Sequence, residues 1–229
     1  MTGPELKSGR ERKGWGQESA AQRLGVSQPY LSLLERGERR VPERLARKAA
    51  SVYGLSASAL PTETAWDDVR PAGEDALARD LAALGYPGFS YLKPGRKKNP
   101  AEVVLRALSA PDLDARLTEA LPWVLLKFPE LDWRWLIAAA KLNDLQNRLG
   151  FVSGVARRLA EELGAGEVSM LLARQESALE RSRLAREDTL CRDSLTRAER
   201  RWLREHRPRE ARHWRLLTDL SPEHLAHAA

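Results

Sequence analysis

Between Gln17 and Gly37 the chain reads QESAAQRLGVSQPYLSLLERG. Two short helical patterns lie on either side of Gly25-Val26-Ser27, and a glutamine opens each. Ala20, Ala21 and Leu24 give the first pattern a small or apolar face, and Leu31 and Leu34, three apart, give the second its core face. Ser27 has the position of an N-cap, whose hydroxyl accepts from the exposed amides of the next turn. Pro29 falls in that first turn, where its missing N–H costs nothing. Gly37 stops the second helix. The stretch therefore predicts two short helices joined by a tight turn, and the flanking chain must supply the rest of their core.

The flanks have matching signals. Pro4 to Lys13 predicts a helix with Leu6 inward, ended by Gly14. Pro42 starts a fourth, with Leu45, Ala46, Ala49 and Val52 facing in, and Gly54 stops it. Ser56 caps a last turn ending at Leu60-Pro61. Residues 61–73, PTETAWDDVRPAG, are Pro-rich and acidic and are expected to link this domain, 1–60, to a second, 74–229.

The second part is expected to be helical over 74–84, 101–109, 112–127, 130–149, 151–164, 167–187 and 196–206, with a short helix near 208–217. Thr196 and Glu199 have capping-box spacing. The non-helical stretch is GYPGFSYLKPGRKKNP. In helix 130–149, Trp135, Leu136, Ala139, Leu142 and Leu149 are expected on one core face, while Asn143, Asp144, Gln146 and Asn147 read as a solvated face. Leu121, Trp123, Leu125 and Leu126 precede it, with Pro122 as a kink or break. There is no alternating strand of useful length and no internal repeat, so the class is all-α.

At 229 residues the chain exceeds a single sixty-residue module, and with 42% hydrophobic and 31% charged residues it can bury a core. One cysteine, Cys191, allows no internal disulfide and fits a reducing compartment. With no apolar leader and no apolar run of membrane-spanning length, a cytoplasmic protein is expected. The net charge of +6 is uneven. Residues 1–60 carry 11 Lys/Arg against 6 Asp/Glu, residues 101–180 carry 9 against 12, and residues 181–229 carry 12 against 8. A basic excess suits a polyanion, although many solvated helical surfaces are equally basic.

The major groove of DNA admits an α-helix and shows distinct donor and acceptor patterns on its base edges. A helix that reads them needs short polar residues in its first turn and apolar residues behind. Gln28 and Ser32 are the polar ones, with Leu31 and Leu34 behind. A glutamine can donate and accept together, which suits adenine. Gln17, at the positive end of the preceding helix, can donate to a phosphate. Arg36, Arg39 and Arg40 follow the second helix and suit the flanking backbone.

On these residues the chain resembles the Cro/repressor-type helix-turn-helix family, also called the XRE family, over residues 6–54. The match is carried by Arg10, four before Gly14; by Gln17-Glu18-Ser19 and Ala21; by Leu24-Gly25-Val26-Ser27; by Leu31; and by Glu35-Arg36-Gly37. The resemblance implies a five-helix lambda-repressor-like domain that binds double-stranded DNA. It implies an internal Arg10–Glu35 pair, and a Gln17 that bonds a phosphate and supports Gln28. The DNA-binding set is then Gln17, Ser27, Gln28, Pro29, Tyr30, Ser32, Arg36, Arg39 and Arg40. Pro29 and Tyr30 depart from the family pattern: Pro29 offers no side-chain hydrogen bond, and Tyr30 can touch a thymine methyl, touch a phosphate or pack. Homodimerisation is expected, because one short helix reads few base pairs and two-fold proteins match palindromic sites. The alternative is a scaffold that has lost DNA binding.

The region PAEVVLRAL through LDWRWLIAAAKLNDLQNRLGF also loosely resembles the C-terminal part of antitoxin-type regulators. That resemblance implies a toxin as partner and repression of the protein's own operon. An enzyme is not expected. There is no His-Glu-x-x-His, no Gly-x-Ser-x-Gly and no phosphate-cradling Gly-rich loop. Ala72-Gly73 has the dipeptide of a self-cleaving repressor, but it precedes a helical region rather than a β-rich one and reads as chance. His206, His213, His224 and His227, with Cys191, lack closely spaced ligand partners and read as surface histidines, so neither metal nor cofactor is expected. Lys93, Arg96, Lys97 and Lys98 lie beside Tyr86, Phe89 and Tyr91, a composition that can bind single strands. The favoured reading there is an ordered loop with its aromatics tucked in.

Overall fold

Caps and glycines place the first helices in the computed structural model, which describes residues 1–65 and 69–225. The chain divides into two units, Met1–Glu63 and Thr64–Ala229.

In the first unit α1 is Gly3–Arg12, α2 is Gln17–Leu24, α3 is Gln28–Glu35 and α4 is Glu43–Tyr53, followed by a 3₁₀ turn at Ala57–Ala59. Thr2 and Glu5 form a reciprocal capping box on α1. The Ser27 hydroxyl accepts from the Tyr30 amide at the start of α3. Gly25 ends α2 at φ 73°, a left-handed conformation that costs glycine nothing, and this makes the sharp turn into α3. Helices of eight residues are marginal alone in water, so packing holds them. Leu6, Ala20, Ala21, Leu24, Leu31, Leu34, Leu45, Ala49 and Tyr53 make that shared core. Val52 is only half-buried and sits at its margin. At Gly3 the start of α1 meets the end of α3 so closely that a Cβ would lie 2.2 Å from the Leu34 carbonyl oxygen.

In the second unit the helices are α5 Glu74–Leu84, α6 Pro100–Leu108, α7 Ala115–Lys127, α8 Trp133–Leu142, α9 Gln146–Glu162, α10 Gly166–Glu180, α11 Arg197–His206 and α12 Arg209–His213. α9 is the central helix, with α7, α8, α10 and α12 against it. A two-residue parallel pair, β1 Asp188–Thr189 with β2 Leu216–Leu217, sets Asp188 opposite Leu216 and Thr189 opposite Leu217. The described chain is mostly helical, and all-α is its class. No described helix is long and apolar enough to cross a membrane.

Several expectations for this unit are corrected. The helix expected over 130–149 is two helices. α8 stops at Leu142, the Asn143 side chain donates to the Ala139 carbonyl at 2.8 Å, and Asp144 takes φ 57°. Short polar side chains compete in this way with the helical backbone and tolerate the left-handed turn. Leu142 is therefore 63% exposed rather than part of the core. Gln146 and Asn147 are buried rather than solvated. Gln146 donates to the Ser182 carbonyl at 3.1 Å. Asn147 donates to the Leu184 carbonyl at 3.0 Å and accepts from the Leu184 amide at 2.8 Å. These two side chains satisfy the backbone of the turn and irregular segment leaving α10, which ends at Glu180 and not at 187.

α9 passes through Gly150, where a helix boundary was expected, because the Trp214 ring lies on it: a Cβ there would be 2.4 Å from a ring carbon. α7 likewise runs through Pro122. The helix expected near 208–217 ends at His213, since Arg215 at φ 57° turns the chain into β2. The Thr196–Glu199 capping box forms on α11.

The tryptophans Trp123, Trp133, Trp135 and Trp214 are all buried. In the loop before α6, Tyr86 packs on Trp123 with centroids 5.2 Å apart and Phe89 is buried beside it, whereas Tyr91 is 71% exposed. Lys98 pairs with Asp80 at 2.7 Å.

Arg148 on α9 is the polar hub of this unit. It makes a two-point contact with Asp188 at 2.9 and 3.1 Å and donates to the carbonyls of Leu108 and Ala110 at 2.8 and 3.2 Å. Cys191 is buried next to it, and burial pushes the thiol up to about 11. A buried guanidinium is tolerable only with its donors used, and here one side chain ties α6, the β1 segment and α9 together.

Candidate nucleic-acid interface

The expected DNA-reading residues start from a buried ion pair. Arg10 on α1 meets Glu35, the last residue of α3, in a two-point contact, Nε to Oε1 at 2.7 Å and Nη2 to Oε2 at 2.9 Å. The third Arg10 nitrogen donates to the Trp15 carbonyl at 2.8 Å. Their side chains are 9% and 2% exposed. Burial alone pushes the Glu35 carboxyl up, but the hydrogen bonds from Arg10 and Gln17 and the Arg10 charge outweigh it. The net pKa lies below the ordinary carboxylate value.

From this pair the network runs outward. Gln17, the first residue of α2, donates from Nε2 to Glu35 Oε2 at 3.0 Å. Its Oε1 accepts from Gln28 Nε2, on the first residue of α3, at 2.7 Å. Glu35, Gln17 and Gln28 thus form one chain of hydrogen bonds from the core to the exposed start of α3. The amide accounting leaves chemistry to spare. Gln28 has used one of two N–H donors and none of its carbonyl lone pairs, so it can still donate and accept together. Adenine N7 and N6 call for that combination. Gly16 caps α2 without a side-chain bond, so the first-turn amides of α2 are free to meet an anion at the helix's positive end.

Ser27, Gln28 and Pro29 are exposed, and Tyr30 and Ser32 are half-buried. Ser32 and Arg36 bond one another, and Arg36 also pairs with Glu38. Arg39 sits over the Tyr30 ring, 6.0 Å from its centroid, a cation–π arrangement that spends the ring on holding the arginine. Arg39 and Arg40 are exposed and pair with no carboxylate among the described residues. The structure therefore brings Gln17, Gln28, Glu35 and Arg10 into one network and Ser32, Arg36 and Glu38 into another.

One link was not legible beforehand. The Gln17–Glu35 bond fuses the Arg10 brace with the glutamine pair, and nothing in an 18-residue separation announces it. Arg23 over the Trp15 ring, 4.3 Å from its centroid, was also missed. It extends the basic surface beside α2.

The other flagged residues lie in the second unit. His213 meets Glu180 at 2.7 Å, and His206 stacks on Trp202. The side chain of His224 and all of His227 are outside the described residues, as are 66–68 of the expected linker. Elsewhere in that segment Thr64 donates to Glu102 at 2.7 Å and Ala72 is buried.

A family model described as a helix-turn-helix domain matches residues 3–62. No curated protein and no solved structure matches the chain. Two eight-residue helices set by Gly25 and Ser27 on one shared core, within that match, make the N-terminal residues a helix-turn-helix domain of the kind DNA-binding regulators carry.

Proposed function

We propose that the protein is a sequence-specific double-stranded DNA-binding repressor of the XRE type, acting as a homodimer and reading the major groove with α3. The observation that carries this reading is the hydrogen-bonded chain Glu35–Gln17–Gln28, which holds an exposed glutamine amide in place at the first turn of α3. A long polar side chain on a surface normally keeps its rotamer freedom. Holding it before contact removes the ordering cost from binding and favours one base over others. In this reading Gln28 contacts a base, Gln17 and the α2 amides hold a phosphate, and Arg36, Arg39 and Arg40 add contacts to the flanking backbone. Ser27, Pro29, Tyr30 and Ser32 complete the surface facing the groove. Dimerisation through the larger unit would double the length of the site.

Selection of binding sites from random duplexes with the full chain, followed by gel shifts, tests the reading. Enrichment of a palindromic site is expected. Gln28→Ala should relax preference at one base pair per half-site by roughly 5- to 150-fold, the worth of a good two-point contact. Arg40→Ala should weaken all sequences alike and lower the salt dependence. Sequence-indifferent, salt-sensitive binding by the wild-type chain would refute the reading. Co-purification of a second polypeptide with the chain would instead favour the antitoxin alternative.

A further inference from the structure

The segment from Arg207 to Arg215 and the turn after α10 enclose an open pocket of about 390 Å³ in the second unit. Its lining is Arg183, Arg207, Arg209, Arg212, His213 and Arg215. We propose that this pocket binds a compact ligand bearing two or more phosphate groups, of the diphosphate class.

The local structure explains why so many cations converge. Arg209 and Arg212 are three apart on α12 and share a face. Arg215, three further on, is brought to the same place by the left-handed turn at its own φ of 57°. Arg183 comes from the end of α10 and is held by the His213 carbonyl at 2.7 Å. Such convergence is self-repelling and needs compensation, and the nearby carboxylates supply only part of it. Glu180 takes His213 at 2.7 Å and Arg183 at 3.4 Å. Glu187 takes Arg204 and Arg207 at 2.7 and 3.2 Å, and Glu210 is turned to Arg158 at 3.0 Å. Arg209, Arg212 and Arg215 pair with no carboxylate among the described residues.

Arg207 differs from these three: its Nη1 donates to Glu187 at 3.2 Å and to the Leu216 carbonyl at 3.1 Å, so it shapes the pocket wall while Arg209, Arg212 and Arg215 carry the uncompensated charge.

The ligand class follows from charge, geometry and size. Three uncompensated guanidiniums ask for about three negative charges, and a phosphate group carries about −1.5 to −2, so two phosphates match. Guanidinium forks suit phosphate oxygens. The volume falls in the range of small-molecule sites, roughly 300–1,000 Å³. Cations drawn from two segments around a concavity fit a compact ligand better than a duplex backbone, which needs them spread along a surface.

Calorimetry with the full chain and inorganic pyrophosphate tests this. Pyrophosphate is expected to bind, more tightly than orthophosphate and more weakly as salt is raised. Arg209→Glu with Arg212→Glu should weaken it at least about tenfold, while Arg39→Glu with Arg40→Glu in the first unit leaves it unchanged. All four arginines are exposed, so the thermal transition should persist. If the double reversal in the second unit lost that transition, Arg212→Ala alone would decide. Absence of pyrophosphate binding, or binding indifferent to these arginines, overturns the proposal. So does a loss of duplex DNA affinity in the second-unit variant without any pyrophosphate binding, which would make the pocket a DNA contact. The proposal stands independently of the reading of α3.

Discussion

Replacing Glu35 by glutamine keeps the shape of the side chain and removes its charge. Arg10 is then left 9% exposed with only the solvent-exposed Glu11 carboxylate, 3.5 Å away, as a counter-charge, and the new amide must present an N–H toward two groups that already donate, Arg10 and Gln17. Removing one partner of a buried pair costs about 3–5 kcal/mol, because the surviving charge stays desolvated. Domain stability runs at roughly 0.05–0.15 kcal/mol per residue, so a unit the size of Met1–Glu63 has about 3–9 kcal/mol in all. Glu35→Gln should therefore remove most of it. Hydrogen exchange of the full chain reads this locally. Amides of α1 and α3 should exchange more than about a hundredfold faster, while those of α9 keep their wild-type protection and act as the internal control. An acceleration of less than tenfold would refute the argument that the pair holds the unit together. The sign of the acid response follows from the same geometry. The Glu35 pKa is lower folded than unfolded, so the unfolded chain takes up the proton first. The pair's contribution is complete above the unfolded carboxylate pKa, about 4.3, and is lost as pH falls through the folded value. Glu35→Gln should lack that component of acid unfolding.

The remaining predictions concern packing and burial. Gly150→Ala would drive a methyl to 2.4 Å from the Trp214 ring, which is 1% exposed and has nowhere to move, so a loss of at least about 1–3 kcal/mol is expected in thermal unfolding of the second unit. The Tyr53 hydroxyl is buried without a hydrogen-bond partner among the described residues, and burial, with the Glu35 charge, pushes its pKa up to about 12. Tyr53→Phe should be neutral or slightly stabilising at neutral pH. It should also remove an alkaline destabilisation that sets in above the unfolded tyrosine pKa near 10 and grows up to about 12, visible as a flatter melting profile against pH. Arg148→Met leaves Asp188 and two buried carbonyls without their donor, and should cost about 3 kcal/mol or more by denaturant titration. A change within about 0.5 kcal/mol would show that water replaces the guanidinium.

What the sequence determined by itself is concentrated in the first sixty residues. There the signals are local. Gly14, Gly25, Gly37 and Gly54 stop helices because only the chain next to them must adopt the left-handed turn, and Ser27 and Pro29 start one for equally local reasons. The all-α class and most of the buried apolar positions of α1–α4 followed from spacing, and the partners Arg10 and Glu35 from the family resemblance. The DNA-contact roles proposed for the nine residues rest on their chemistry and on the family resemblance.

Tertiary structure decided what depends on a neighbour distant in sequence. The Asn143–Asp144 break and the continuous helix through Gly150 exchanged places relative to expectation. Asn143 and Asp144 read as a polar helix face until the fold demands a turn there. Gly150 reads as a stop until Trp214 occupies the space a side chain would need. Gln146 and Asn147 looked solvated because polarity is local, while their partners at Ser182 and Leu184 lie 36 and 37 residues away. The same reason hid the Gln17–Glu35 link and the arginine pocket. A charge count records how many cations a segment has, and only the fold decides whether they face water singly or converge on one space.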